Sequence, residues 1–283
     1  MKYIFTVFLC MTGIVLQAQG LKEKTQQDLA AVVASSPSVV GLAVMDLTSN
    51  ETFFINEQRS FIQASAIKIP ILMEVFNQMH AGKLSLTDQK QVTAANRVGG
   101  SGVLQQLQDP ASISLRDLCT LMITQSDNTA TNVVISTIGM ENVNKTMQAI
   151  GCPHTKLQRY MMDTAAAAQG RENLSTPAEA IKILSMLYQG KFIDATLSQQ
   201  VISVLKKNAR SGSRIAAALP AQVPVAFKPG ALASVSTEWA IVYLNKRPYA
   251  IAVMENARVA GDTSNTMEKL SKIVYDYFSN CCK

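Results

Sequence analysis

The segments that read as β-strands stand at the two ends of this 283-residue chain, and the long middle reads as helices. Near the start, "SVVGLAVMDLTSNETFFINEQ" gives two strands joined by the turn residues Thr48, Ser49 and Asn50, an antiparallel hairpin. Near the end, "VPVAFKPG", "EWAIVYLN" and "YAIAVME" are short β-rich runs, the last two joined at Lys246-Arg247-Pro248. A sheet built from these runs must bring distant parts of the chain together. The pattern therefore predicts an α/β sheet domain made from both termini, residues 21–60 and 206–283, with an all-helical domain, residues 61–205, inserted between them.

Helical spacing supports that division. "LKEKTQQDLAAVVASS" predicts a helix ahead of the first strand, and "TSNTMEKLSKIVYDYF" another after the last. In the middle, "SAIKIPILMEVFNQMHAG" puts Ile69, Leu72, Val75, Phe76 and Met79 on one face, and Gly82 closes it. "ISLRDLCTLMI" opens with Ser114 three residues before Asp117, close to a capping box. "STPAEAIKILSMLYQG" has Thr176 as N-cap, Pro177 in the first helical position, Glu179 at the third and Gly190 at the stop. "VGGSG" and "TAAAAQGREN" read as loops, the first as a mobile wall over a cleft.

Residues 1–20 carry Lys2, an uncharged apolar run and then "QAQG", the layout of a signal peptide cleaved near Ala18 to Gly20, so the mature protein is expected to be secreted or periplasmic. No other stretch is long and apolar enough to span a membrane, and Phe8 and Leu9 ahead of Cys10 argue against a lipid anchor. The net charge of +6 comes from scattered Lys and Arg, which is a poor match to nucleic acid. With His80 and His154 as the only histidines and no CxxC, a zinc site has little to be built from. Cys119 and Cys152 could pair in an oxidising compartment, while a buried thiol is the plainer reading of Cys119.

Three short elements carry candidate chemistry. In "QASAIKIP", Ser65 and Lys68 are three residues apart, so on a helix they share a face and the amine comes within reach of the hydroxyl. A serine needs a base to become a nucleophile, and a desolvated lysine can serve. The first turn of a helix adds a free N–H and the positive end of the dipole. By itself the spacing also fits the ordinary start of a helix. "ITQSDNTATN" then offers Ser126 as a proton relay and Asn128 as an amide to grip a carbonyl, with Asp127 turned inward to hold the loop, although a plain connecting cap would look the same. "FKPGALAS" places Lys228 at the end of a strand, followed by Pro229 and Gly230.

In that order, SxxK, SDN and Lys-x-Gly on a late strand, the chain resembles the penicillin-recognising serine enzymes, and most of all the class A β-lactamases. The resemblance covers nearly the whole mature chain. It implies a five-stranded antiparallel sheet with flanking helices beside a helical domain, a monomer, a β-lactam or a D-alanyl peptide as substrate, and neither cofactor nor metal. It implies Ser65 as the acylated nucleophile, Lys68 as its proton acceptor and Ser126 as the relay to the leaving nitrogen. Asn128 would hold the substrate's side-chain amide, and Lys228 would supply positive charge near its carboxylate. Arg214 in "RIAAALP" is a candidate for the same carboxylate, or a surface charge. Gly230 belongs to the strand motif, and the N–H groups of Ser65 and Ala231 would form the oxyanion hole.

Two departures qualify the resemblance. Counted from Arg159, the loop glutamate that activates the deacylating water is Met161 here, and the accompanying asparagine is Ala165. Asp163 and Glu172 are the nearby acids that could substitute; the plainer readings are that Asp163 pairs with Arg159 and that Glu172 is solvated. Pro229 stands where the family has Thr or Ser, and proline offers neither a hydroxyl nor an N–H, so carboxylate recognition would lean on Lys228 and Arg214. The reading is an exported serine hydrolase that forms an acyl-enzyme with β-lactams and releases it slowly or by an unconventional acid. The alternatives are a D-alanyl peptidase-like penicillin-binding enzyme and a non-catalytic relative that keeps the fold.

Overall fold

The structure, a computed structural model, describes residues 19–108, 111–257 and 264–280. The expected leader falls outside these but for Gln19 and Gly20, which open helix α1 (19–34). No helix of the described residues is long and apolar enough to cross a membrane.

Strands β1 (Val39–Asp46) and β2 (Thr52–Ile55) form the N-terminal hairpin, and Asn50 turns it in the left-handed region at φ 62°. Strands β3 (Phe61–Ile62), β4 (Gln89–Val92), β5 (Ala111–Ser114) and β6 (Leu174–Ser175) make two small antiparallel ribbons, β3 with β6 and β4 with β5. Strands β7 (Val225–Leu232), β8 (Val235–Val242) and β9 (Tyr249–Asn256) form the C-terminal meander. The main sheet has the order β2-β1-β9-β8-β7, all antiparallel, with Val39 opposite Asn256 and Asp46 opposite Tyr249 where the two ends of the chain meet. This is the five-stranded antiparallel α/β fold that the resemblance implies.

The middle supplies α2 (Lys68–His80), α3 (Leu115–Thr124), α4 (Asn128–Ile138), α5 (Met140–Ala149), α6 (Thr164–Ala168), α7 (Pro177–Tyr188) and α8 (Ala195–Leu205). A short α9 (Arg214–Ala217) precedes the meander and α10 (Thr266–Asn280) follows it. Sheet side chains alternate between two cores, as the period-2 geometry of a strand requires. Ala43, Trp239, Ile241, Ala252 and Met254 belong to the core shared with α2, α3, α4 and α7, and α7 and α8 pack on the sheet itself. Leu42, Val44, Phe227, Val242 and Val253 face α1 and α10. Every residue of β8 is buried, because the strand lies between neighbours and is covered on both faces.

Side chains cap the helices where the sequence predicts it. Thr176 Oγ1 accepts from Glu179 N at 3.2 Å with Pro177 in the first turn, and Gly190 has φ 68° just past the end. Ser114 Oγ accepts from Asp117 N at 3.1 Å. The Glu179 carboxylate does not close a box; it takes His154 N at 2.9 Å and the Thr155 hydroxyl at 2.7 Å instead. Cys119 and Cys152 are both free and buried, and burial pushes each thiol up to about 12.

Candidate active site

Ser65 does not sit in the first turn of α2 as the spacing suggests. It lies in a tighter 3₁₀ turn, Ala64–Ile67, that runs into α2 at Lys68. Ala64 enters that turn at φ 45°, a left-handed value that a residue with a Cβ adopts only when its surroundings hold it there. Strand β7 presses against this turn. A Cβ on Gly230 would stand 2.5 Å from Gln63 O and 2.8 Å from the nitrogens of Ser65 and Ala66, so only glycine lets the strand pass.

Lys68 is fully buried, and its amine does not reach for Ser65. It lies 2.7 Å from Ser126 O, 3.1 Å from Asn128 Oδ1 and 3.2 Å from Ser126 Oγ, all within hydrogen-bond distance. Among the described residues the Ser65 hydroxyl has no hydrogen-bond partner, and in unliganded enzymes such contacts commonly tighten only when substrate arrives. Lys228 reaches Ser126 from the other side, donating to its Oγ at 3.1 Å and to Pro229 O at 3.0 Å. It points there because Ala226, Lys228 and Gly230 occupy one face of β7 and Phe227 the other. Pro229 is tolerated since β7 is an edge strand.

Two lysines around one hydroxyl have a clear electrostatic consequence. Burial, then the charge of Lys228, holds the Lys68 amine well below the usual lysine range, which favours its neutral, basic form. Burial also brings Lys228 down to about 7, against the opposing pull of Glu238.

Asp127 is an organiser. Its Oδ2 accepts Val103 N at 2.6 Å and Leu104 N at 2.8 Å, and its Oδ1 caps α4 through Ala130 N at 2.8 Å. The glycine-rich segment is therefore pinned, where the sequence reading expects a mobile wall. Asn128 donates to Gly99 O at 3.1 Å while accepting from Lys68, so its amide joins that segment to the lysine.

The cleft has two lobes of about 290 Å³ each, and both are lined by Ser65, Ser101 and Ala231. The nucleophile candidate thus stands at their junction. One lobe adds Asn128, Met161, Met162, Asp163 and Asn173. The other adds Ser126, Lys228, Pro229, Gly230, Arg214 and Glu238.

The acids beside Arg159 are arranged differently from the plainer readings. Glu172 is the one that pairs with Arg159, Oε2 lying 2.9 Å from Nε and 2.8 Å from Nη2, so it is not a solvated carboxylate. Asp163 caps α6 through Ala166 N at 2.9 Å and lines the lobe beside Ser65. Met161 is buried there, its backbone fixed by Asn132, whose Oδ1 accepts Met161 N at 2.8 Å and whose Nδ2 donates to Met161 O at 3.1 Å. Ala165 lies within α6, one turn further on.

Arg214 does line the cleft, but its guanidinium is engaged by Glu268, at 2.8 Å and 2.9 Å, and by Ser236 Oγ at 3.1 Å, with Glu255 3.6 Å away. Glu238 lies beside it, accepting from the Ser213 hydroxyl and from Arg214 N at 2.9 Å; burial pushes its carboxyl up to about 7. Gln63, Thr237, Glu238, Asn132 and Asn173 all belong to the cleft or its supports, and the sequence reading assigns a role to none of them, although Gln63 and Asn132 stand at the edges of its motifs. No cluster of His, Cys, Asp and Glu suited to a metal ion exists among the described residues.

Known proteins are similar to this chain in sequence and fold. Beta-lactamase CARB-3 of Pseudomonas aeruginosa is 25% identical over 233 residues, 82% of this chain and 81% of its own length. A crystal structure of a beta-lactamase from Sphaerobacter thermophilus is 28% identical, covers 90% of this chain and 96% of its own, and superposes with a TM-score of 0.80. PBP-A, at 23% identity, superposes with a TM-score of 0.83 over 91% of this chain and 96% of its own. A family model described as the beta-lactamase enzyme family matches residues 24–278. The chain belongs to the beta-lactamase enzyme family.

Proposed function

We propose that the protein is an exported serine β-lactamase, acylated at Ser65 by the β-lactam carbonyl and regenerated by hydrolysis. The observation that carries this reading is the convergence of Lys68 and Lys228 on Ser126, which lines one of the two lobes that Ser65 faces. In the first step the Ser65 oxygen bonds to the ring carbonyl while its proton passes to the neutral Lys68 amine. The N–H groups of Ser65 and Ala231 take the developing oxyanion. The ring C–N bond then breaks as Ser126 gives its proton to the nitrogen and recovers one from Lys68. Lys228, already donating to Ser126 Oγ, keeps that hydroxyl turned so that its hydrogen faces the cleft. An anionic group on the substrate would raise the Lys228 amine again and so secure its positive charge.

Release needs a base for water. Asp163 is the acid in the lobe beside Ser65, and Glu172 is committed to Arg159. We assign the slower, hydrolytic step to Asp163. The buried Met161, where a carboxylate would be expected, favours a second reading: a penicillin-binding enzyme on D-alanyl peptides, acylated by β-lactams and released very slowly. A leucine-to-glutamate variant of PBP-A has been captured as an acyl-enzyme complex with penicillin G.

The mature protein, incubated with a chromogenic cephalosporin while Ser65 is followed by mass spectrometry, separates these readings. Steady colour with a transient adduct is the β-lactamase result; one equivalent of stable adduct is the penicillin-binding result. No adduct with any penicillin or cephalosporin would favour a non-catalytic relative. Ser65→Ala abolishes both signals, and Asp163→Asn lengthens the life of the adduct whereas Glu172→Gln leaves it unchanged.

A further inference from the structure

We infer that Thr237 and Gln63 form a clamp that positions Ser65 against strand β7 for acylation, an inference that rests on the acylation of Ser65 proposed above. Gln63 is completely buried, two residues before Ser65. Its backbone oxygen accepts the Thr237 hydroxyl at 2.9 Å, and its side-chain Oε1 accepts Trp239 Nε1 at 3.0 Å. Both donors stand on the same face of β8, and their partners across the ladder are Gly230 and Lys228. The strand that carries Lys228 and Ala231 is thereby tied, through β8, to the residue that leads into the nucleophile turn.

The rest of Gln63 reaches the opposite wall. Its N–H donates to Asn173 O at 2.8 Å, and its Nε2 donates to Phe61 O at 2.9 Å and Ser175 O at 3.4 Å. Asn173 lines the lobe beside Ser65, and its Oδ1 accepts Gln158 N at 2.7 Å and Arg159 N at 3.1 Å. One buried glutamine therefore joins three walls of the cleft: the nucleophile turn, the loop from Gln158 to Asn173 and strand β8.

The clamp acts where geometry is least forgiving. The proposed oxyanion donors, Ser65 N–H and Ala231 N–H, belong to segments with no covalent reason to hold their spacing, and the turn itself is entered through a left-handed Ala64. A small slip of β7 from the turn would spoil the alignment of both donors without closing the cleft. Misplacement by about 1 Å, or loss of one oxyanion donor, costs on the order of 100-fold in rate. Thr237 and Gln63 are thus positioning residues.

The test is a matched pair at Thr237, studied by single-turnover acylation with a chromogenic cephalosporin over a range of concentrations, with melting curves alongside. Thr237→Val keeps the shape and removes the hydroxyl; Thr237→Ser keeps the hydroxyl and removes a methyl. We expect Thr237→Val to lower the limiting acylation rate about 10- to 100-fold with half-saturation unchanged within twofold, and Thr237→Ser to return to within about threefold of the parent. Gln63→Met, which loses the Trp239 and Phe61 bonds, should show the same loss of rate. A Thr237→Val or Gln63→Met protein that acylates at the parent rate overturns the clamp and leaves the β-lactamase reading standing. So does equal slowing in Thr237→Ser, which would make the residue a packing element, or a rise in half-saturation alone, which would make its hydroxyl a substrate contact. A parent protein that forms no Ser65 adduct overturns the reading itself and the clamp with it.

Discussion

Lys228 shows how a single buried charge sets both chemistry and stability. Its amine falls to about 7 in the folded protein, against 10.5 for a free lysine. Between those values the unfolded chain holds a proton that the folded chain does not, so this residue makes stability rise with pH across the window. Below about pH 7 both states are protonated and its cost is constant. Lys228→Met removes that cost, so its melting temperature relative to the parent should be higher at pH 7 than at pH 10 and should change little further below pH 7. Thermal melts of the two proteins across this range check the expectation. An advantage for Lys228→Met that grows towards pH 10 would contradict it.

At the scale of elements, the loop beside Ser65 is placed by its backbone. Asn132 on α4 holds both the N–H and the carbonyl of Met161, and Asn173 fixes Gln158 and Arg159 from the far end of the loop. Neither anchor depends on the Met161 side chain, so a carboxylate placed there would be presented to the same lobe. Met161→Glu should shorten the life of the Ser65 adduct by at least about 10-fold, the lower end of what a placed general base supplies being nearer 100-fold. Time-resolved mass spectrometry of the adduct measures this, and an unchanged lifetime would mean that the loop carries its side chain away from the acyl carbon. The sequence makes the departure at Met161 legible by simple counting from Arg159. It does not reveal that Glu172, and not Asp163, would take Arg159, because that choice is made by how the loop folds back on itself across 13 residues.

For the molecule as a whole, the two ends of the chain are locked at Arg247. From the turn between β8 and β9, its guanidinium meets Asp46 at 2.6 Å and Glu51 at 2.6 Å in the N-terminal hairpin and lies 4.7 Å from the Phe278 ring of α10. Glu51 also accepts the Tyr277 hydroxyl at 2.7 Å. Asp46 is completely buried, so Arg247→Ala would leave a carboxylate with two backbone N–H groups and the Thr48 hydroxyl but no counter-charge. Breaking such a pair costs about 3 to 5 kcal/mol, roughly 6 to 20 °C in melting temperature for a domain of this size. A loss under 1 kcal/mol in urea titration would mean that packing alone joins the ends.

The sequence by itself determined the five strands of the main sheet, the capped starts at Ser114 and Thr176 and the candidate polar residues Ser65, Lys68, Ser126, Asn128 and Lys228, which stand in local motifs read from spacing; it missed the four short ribbon strands and read as a loop the segment that opens with α6. The tertiary structure decided what those residues touch. Lys68 turned to Ser126 and Asn128 instead of its helical neighbour Ser65, Arg214 was taken up by Glu268, Thr237 and Glu238 became part of the cleft though nothing near them in sequence sets them apart, and Gln63, beside the Ser65 motif, was tied to Thr237. The physical reason is range. Capping, turn formation and side-chain periodicity act over a few residues, whereas the pairings just named join positions 54 residues apart, Arg214 to Glu268, up to 174 apart, Gln63 to Thr237, and exist only once the chain has folded.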